Sequence, residues 1–345
     1  MPSAQIKARR PAATLTAAVL TASLASADAA RAEIIPLADM LRGTEVTAAQ
    51  CATKPDTVWV TAFNRSFCIR YYMSTAGGSG SRPIVILSGD KLGPYNFNTR
   101  TFAPGPDDKD VDTTNLMKRA DAHSRAAGTT AIYLARIGID GSSGFHGVRK
   151  THLELHVLNA ALDALKRRYR FEGFHLVGQS GGAGLVAALL ALRNDIGCAV
   201  PGAGPMRWTN PHRPADPALH MAEATAMIPA IARNRAARLL LVTDPADHYV
   251  QIEQQLPFVR SLRQAGGRVD QLFVQAVDPT HHFVTSYAML AVAECVHGTP
   301  TADIAVKLTA FQQTLLARAA AQAKANGAAP QPSAPQLSKD LARKQ

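Results

Sequence analysis

Two kinds of apolar pattern alternate along this chain. Short unbroken runs, Pro83-Ile84-Val85-Ile86-Leu87 and Ala131-Ile132-Tyr133-Leu134-Ala135, predict strands covered on both faces, because neither side of the pleat offers a charged residue to water. Phe174-His175-Leu176-Val177, Ile196 to Val200, Arg238 to Thr243 and Val269 to Val277 predict further strands. Between these runs the period lengthens. Thr113 to Ala127 predicts a polar helix, His152 to Tyr169 carries leucine, valine and alanine at helical spacing, Gly184 to Arg193 predicts an apolar helix, and one more is expected from about Val250 to Ala265. Period two appears before all of them: Thr57 to Phe63 and Phe67 to Met73 alternate β-branched or aromatic with polar residues around Asn64-Arg65-Ser66, which predicts an antiparallel hairpin. Gly77-Gly78-Ser79-Gly80 then breaks the pattern.

Strands alternating with helices of this length require crossover connections, so the expected class is α/β: a mostly parallel sheet with helices on both faces and the hairpin as its antiparallel edge. Pro211, Pro214 and Pro217, followed by the helical stretch Ala218 to Asn234, suggest either a small cap over residues 207–235 or an ordinary crossover helix. From Asn326 onward the chain is proline-rich and without periodic apolar residues, and residues 321–345 are expected to be a disordered tail. No internal repeat is visible.

Composition adds a compartment to this picture. With 345 residues, 47% hydrophobic and 18% charged, the chain can bury one sizeable core. Lys7, Arg9 and Arg10 precede an apolar, small-residue run from Ala12 to Ala27 and then Ala27-Asp28-Ala29, the charge, core and cleavage site of a signal peptide. Cleavage is expected after Ala29, leaving a domain over residues 30–320 in the periplasm or outside the cell. No later run is long and apolar enough to span a bilayer, so no stable membrane insertion is expected. An exported chain can keep disulfides, and Cys51, Cys68, Cys198 and Cys295 form an even set. Cys51 with Cys68 is the expected pair, while Cys198 and Cys295 read equally well as a second bridge or as two buried thiols. The formal charge of +11 is partly located in the first residues and in Arg318, Lys324, Lys339, Arg343 and Lys344. No basic run interleaved with aromatics accompanies it, so nucleic acid is not an expected partner.

The chemistry centres on Leu176-Val177-Gly178-Gln179-Ser180-Gly181-Gly182-Ala183. A serine hydroxyl attacks a carbonyl at neutral pH only when exposed at a sharp bend, beside a base, with backbone donors waiting for the oxyanion. A strand ending and a helix beginning within this glycine-rich segment supply the bend and distinguish it from a chance Gly-x-Ser-x-Gly. Ser180 is the candidate nucleophile, and the Gly181 N–H, at a helix N-terminus, is the candidate oxyanion donor.

With this elbow, the chain resembles the α/β-hydrolase superfamily over roughly Thr57 to Ala317. The resemblance implies a triad in the chain order nucleophile, acid, histidine. After the strand Leu239 to Thr243 comes Asp244-Pro245-Ala246-Asp247-His248-Tyr249-Val250, similar to the family's acid loop; Asp247 is the expected acid and Asp244 the alternative. The competing reading has both aspartates capping the next helix. After the last strand comes Asp278-Pro279-Thr280-His281-His282-Phe283, where Phe283 as the family's aromatic favours His281, with His282 as the alternative. His123, His152, His156, His212 and His220 lack such a context and read as surface or core residues. The family's second oxyanion donor implies the N–H of Asp90 or Lys91 in Leu87-Ser88-Gly89-Asp90-Lys91-Leu92-Gly93, where many members show His-Gly and this chain has Ser88-Gly89. Ala135 to Gly144 resembles the glycine and serine turn that many members carry one strand before the nucleophile, and is read as structural.

No metal-ligand spacing and no phosphate-binding glycine loop is present, so no cofactor is expected. The mechanism implied is acyl transfer to water on a small-molecule ester. The doubled glycine after Ser180 is also similar to prolyl-oligopeptidase-like peptidases, which makes a secreted peptidase acting on peptides the second reading. A third is a hydrolase-fold binding protein without catalysis.

Overall fold

A computed structural model of the chain describes residues 33–93, 95–96, 99, 101–105, 108–208 and 214–325. The expected signal peptide, His212 and the tail from Asn326 lie outside them. Eight strands form the central sheet: β1 (Thr57–Ala62), β2 (Arg65–Ser74), β3 (Ile84–Leu87), β4 (Ala131–Leu134), β5 (Phe174–Gln179), β6 (Ile196–Gly202), β7 (Arg238–Thr243) and β8 (Val269–Phe273). Their spatial order is β8-β7-β6-β5-β3-β4-β2-β1. Neighbours from β8 to β4 are parallel, whereas β2 runs antiparallel to β4 and the β1–β2 hairpin closes that edge. This is the mostly parallel sheet, hairpin edge included, that the apolar pattern predicts.

Alternation within β3 shows how so short a strand organises two cores. Val85 and Leu87 face one layer, with Leu155, Leu158 and Leu162 of α2 (His152–Tyr169), Leu185 of α3 (Gly181–Leu189) and Phe258 of α4 (Leu256–Gln264). Ile84 and Ile86 face the other, with Leu116 and Ala120 of α1 (Thr113–Ala127), Tyr287 and Val292 of α5 (Thr285–Val296), and Ile304 and Leu308 of α6 (Thr301–Ala325). Helix starts are set locally: Asp112 accepts the Thr114 N–H at the head of α1, and Thr151 accepts that of Glu154 at the head of α2.

Several boundaries differ from the sequence pattern. β8 ends at Phe273: the Val274 N–H still reaches the Thr243 carbonyl, but beyond it Gln275 donates to the Gln312 side chain and Ala276 to that of Asp244. The stretch Ala218 to Asn234 is not one helix. It divides into short turns at Pro217–Leu219 and Ala224–Met227 and a helix Ile228–Arg233 that starts around Pro229. The helix expected from Val250 begins at Leu256, after a turn at Ile252–Gln254. α3 starts at Gly181, directly on the elbow. α6 runs to Ala325, past the expected domain end at residue 320.

Both disulfides are formed: Cys51 of the short helix Ala48–Ala52 with Cys68 of β2, and Cys198 of β6 with Cys295 of α5. Among the described residues no helix is long and apolar enough to cross a membrane.

Candidate active site

β5 carries the chain to the C-terminal end of the sheet, where Ser180 takes φ 54° and ψ −121°, a conformation costly for any residue with a side chain. The strain is held in place on both sides. Ser180 N–H donates to the Gly202 carbonyl at the end of β6, and the Ser180 carbonyl accepts from Ala183 and Gly184 as α3 begins. The bend brings the chain so close to itself that a Cβ at Gly178 would stand 2.6 Å from the Gly182 carbonyl oxygen. Gly181 N–H donates to no other group among the described residues, as expected of a helix's first turn.

The loops after β7 and β8 bring together two histidine–aspartate pairs rather than one. His282 Nδ1 lies 3.0 and 2.9 Å from the two oxygens of Asp247, whose Oδ1 also accepts the N–H groups of Tyr249 and Val250 at 2.8 and 2.9 Å. His281 Nδ1 lies 2.9 Å from Asp244 Oδ2, and Asp244 also accepts from Ala246 and Ala276. The sequence-expected partners Asp247 and His281 are therefore not bonded to each other. The reason is local: His281 has φ 55°, and the left-handed turn at this residue sends adjacent imidazoles to different carboxylates. The pairs differ in setting. The His282 and Asp247 side chains are 8% and 1% exposed, while the His281 imidazole is 22% exposed. The His282 carbonyl accepts from Gln179 Nε2 at 2.7 Å, and Gln179 precedes Ser180. Thr285 Oγ1, at the start of α5, holds the other end of the Gln179 amide. Among the described residues neither imidazole is hydrogen-bonded to Ser180 Oγ.

On the other side of Ser180 runs the loop after β3. A Cβ at Gly89 would lie 3.3 Å from the Ser180 Cβ, so the backbone at Gly89 passes beside Ser180. The side chains of the two expected donor residues are both engaged. Lys91 pairs with buried Asp140, and Asp90 binds Arg136, Lys150 and, at longer range, Arg149. Burial would raise the Asp90 carboxyl, but the charges of Arg136 and Lys150 outweigh it and hold it well below the usual carboxylate range. Ser142 and Ser143 of the glycine and serine turn accept the N–H groups of Arg70 and Cys68, bracing β2.

His248 stays at the site, its ring 6.0 Å from that of His281, while His123, His146, His175 and His220 are placed elsewhere. Burial lowers His123 and His175 to about 4 and His146 to about 3. His175 accepts the Cys198 N–H, His146 donates to the Ile137 carbonyl, and His220 donates to that of Pro214. Sequence reasoning gave no role to Gln179, Arg136, Glu154 or Lys150. Arg136 carried a signal, a lone charge between apolar Ala135 and Ile137 directly after a buried strand.

No protein-family model and no curated protein matches the sequence. The structure is similar to an esterase from Pyrococcus furiosus, at 14% identity, over 78% of this chain and 99% of that one, with a TM-score of 0.51. It is also similar to Est1E from Butyrivibrio proteoclasticus with ferulic acid bound (12% identity, 70% and 98% covered, TM-score 0.46). A third is an acylaminoacyl peptidase from Pyrococcus horikoshii (13% identity, 68% of this chain and 40% of that one, TM-score 0.45). The strand order, the strand–serine–helix elbow after β5 and the likeness to the Pyrococcus furiosus esterase establish that this chain has the fold of the α/β-hydrolase superfamily.

Proposed function

We propose that this protein is an exported serine hydrolase that cleaves a carboxylic ester through Ser180, His282 and Asp247. The observation that carries this choice is the tie between the His282 carbonyl and Gln179, next to Ser180, combined with the two-oxygen contact of Asp247 to His282 Nδ1. With Nδ1 donating to Asp247, Nε2 is left as the base. It takes the Ser180 proton as Oγ attacks the ester carbonyl, then gives it to the leaving alcohol; water repeats the cycle on the acyl-enzyme. Asp247 fixes the tautomer, and its own orientation is fixed by the Tyr249 and Val250 N–H groups. The Gly181 N–H and the N–H of Asp90 or Lys91 stabilise the oxyanion. In this reading the nucleophile–base hydrogen bond, which the free protein does not make among the described residues, forms when substrate binds. Two disulfides support export to an oxidising compartment.

A fluorophosphonate probe tests the reading directly: Ser180 is expected to be labelled in the wild type and not in Ser180→Ala. No labelling of the wild type would favour a binding protein. A panel of p-nitrophenyl esters and peptide anilides follows, with turnover expected on esters; turnover of anilides alone would favour the peptidase.

A further inference from the structure

Behind the candidate oxyanion loop lies a cluster of charges that the proposed triad does not use. Arg136 stands two residues past the end of β4 and is wholly buried. Its guanidinium donates through Nε and Nη2 to the two oxygens of Glu154, in the first turn of α2, at 3.0 and 2.8 Å. Nη1 turns the other way, to Asp90 Oδ1 at 2.8 Å and the Ser88 carbonyl at 3.3 Å. The second Asp90 oxygen receives Lys150 Nζ at 2.6 Å, with Arg149 Nε 3.6 Å away. On the side of the elbow, a Cβ at Gly181 would stand 2.1 Å from Asp90 Oδ1 and 3.1 Å from Arg136 Nη1. The carboxylate therefore packs into the space that the side-chain-free residue after the nucleophile leaves open.

A buried ion pair is a weak source of stability, because desolvation offsets most of its attraction, whereas a planar fork with fixed donors is a strong source of orientation. The charge arrangement is also informative. A carboxylate beside a developing oxyanion opposes it, yet here Arg136, Arg149 and Lys150 face only Asp90 and Glu154, so the cluster presents no net negative charge to the hole.

We propose that Arg136, anchored on Glu154, is a positioning residue for the oxyanion loop: it grips the Ser88 carbonyl and the Asp90 carboxylate and so sets the Asp90 and Lys91 N–H groups against the acyl oxygen of a substrate on Ser180. The proposal rests on the serine-hydrolase reading and concerns what holds the loop. Its test is kcat and KM for p-nitrophenyl acetate, with the rate and endpoint of fluorophosphonate labelling, in the wild type, Asp90→Ala, Asp90→Asn and Arg136→Lys. Asp90→Ala is expected to lower kcat and labelling rate about 10- to 100-fold, the size of effect expected when a catalytic donor shifts by about 1 Å. KM should stay within about twofold, and the labelling endpoint should be unchanged because the site itself is intact. Asp90→Asn should recover most of the loss, since its amide oxygen still accepts from Arg136 Nη1. Arg136→Lys should behave like Asp90→Ala, because an ammonium cannot bridge Glu154 and Asp90 as a fork does; should it not fold, the two Asp90 variants decide. Wild-type kcat in Asp90→Ala, an Asp90→Asn as slow as Asp90→Ala, or a loss confined to the labelling endpoint would each overturn the proposal. An inert, unlabelled wild type would instead overturn the hydrolase reading, and this inference with it.

Discussion

The two histidine–aspartate pairs beside the elbow are built from adjacent residues and the same two side-chain types, yet they are held differently. Asp247 touches His282 with both oxygens and is itself fixed by the backbone just after it, Tyr249 and Val250. Asp244 touches His281 with one oxygen and spends that same oxygen on the Ala276 N–H, across in the neighbouring loop. The first pair is oriented toward an imidazole, whereas the second joins the ends of β7 and β8. In the proposed reading, what the carboxylate and the histidine carbonyl are tied to, and not chemical identity, separates the base from the brace.

The largest effect that tests this contrast is at Ser180, the proposed nucleophile. Ser180→Ala is expected to lower kcat by about 10⁶-fold with the fold intact, measured by turnover and circular dichroism. Next, His282→Ala should approach that loss while His281→Ala keeps activity within about tenfold; the reverse order would transfer the role to the other pair. Asp247→Asn should cost about 10⁴-fold in kcat through the wrong imidazole tautomer. Asp244→Asn should be felt in stability instead, because an amide nitrogen placed at Ala276 faces a donor. About 1–3 kcal/mol is expected, read as a Tm lower by several degrees.

The smallest effect concerns three buried histidines outside both pairs. Burial depresses His123 and His175 to about 4 and His146 to about 3, so in the folded protein they stay neutral while the unfolded chain takes up protons. That stabilisation is full above pH about 6.5 and is lost as pH falls toward about 3 to 4. Tm measured at stepped pH should therefore fall between about pH 6.5 and 4, and a Tm that stays flat over that range would count against the burial of these three imidazoles.

The sheet was legible because strands buried on both faces must be apolar throughout, as Ile84 to Leu87 are. The elbow was legible because its geometry demands small residues at fixed offsets. α5 carried no such mark: Tyr287, Ala288, Met289, Ala291 and Val292 are buried around much of its circumference, so the amphipathic period that betrays a surface helix is weak. The partner of each aspartate was illegible for another reason. It depends on one left-handed residue, His281, and no side-chain pattern announces that a histidine will adopt that conformation. The contact of Arg136 with Asp90 and Glu154 joins three parts of the chain that share no motif.

The bridge between Cys198 and Cys295 bears on how the protein is produced. It closes a separation of 97 residues and fastens the far end of α5, the helix whose near end holds Gln179 through Thr285. Closing a loop of that length removes about 5 kcal/mol of disorder from the unfolded chain, comparable to the whole stability of many domains. Recombinant material from a reducing cytoplasm should thus be poor in soluble yield or active fraction, and a strain or compartment that forms disulfides should restore both.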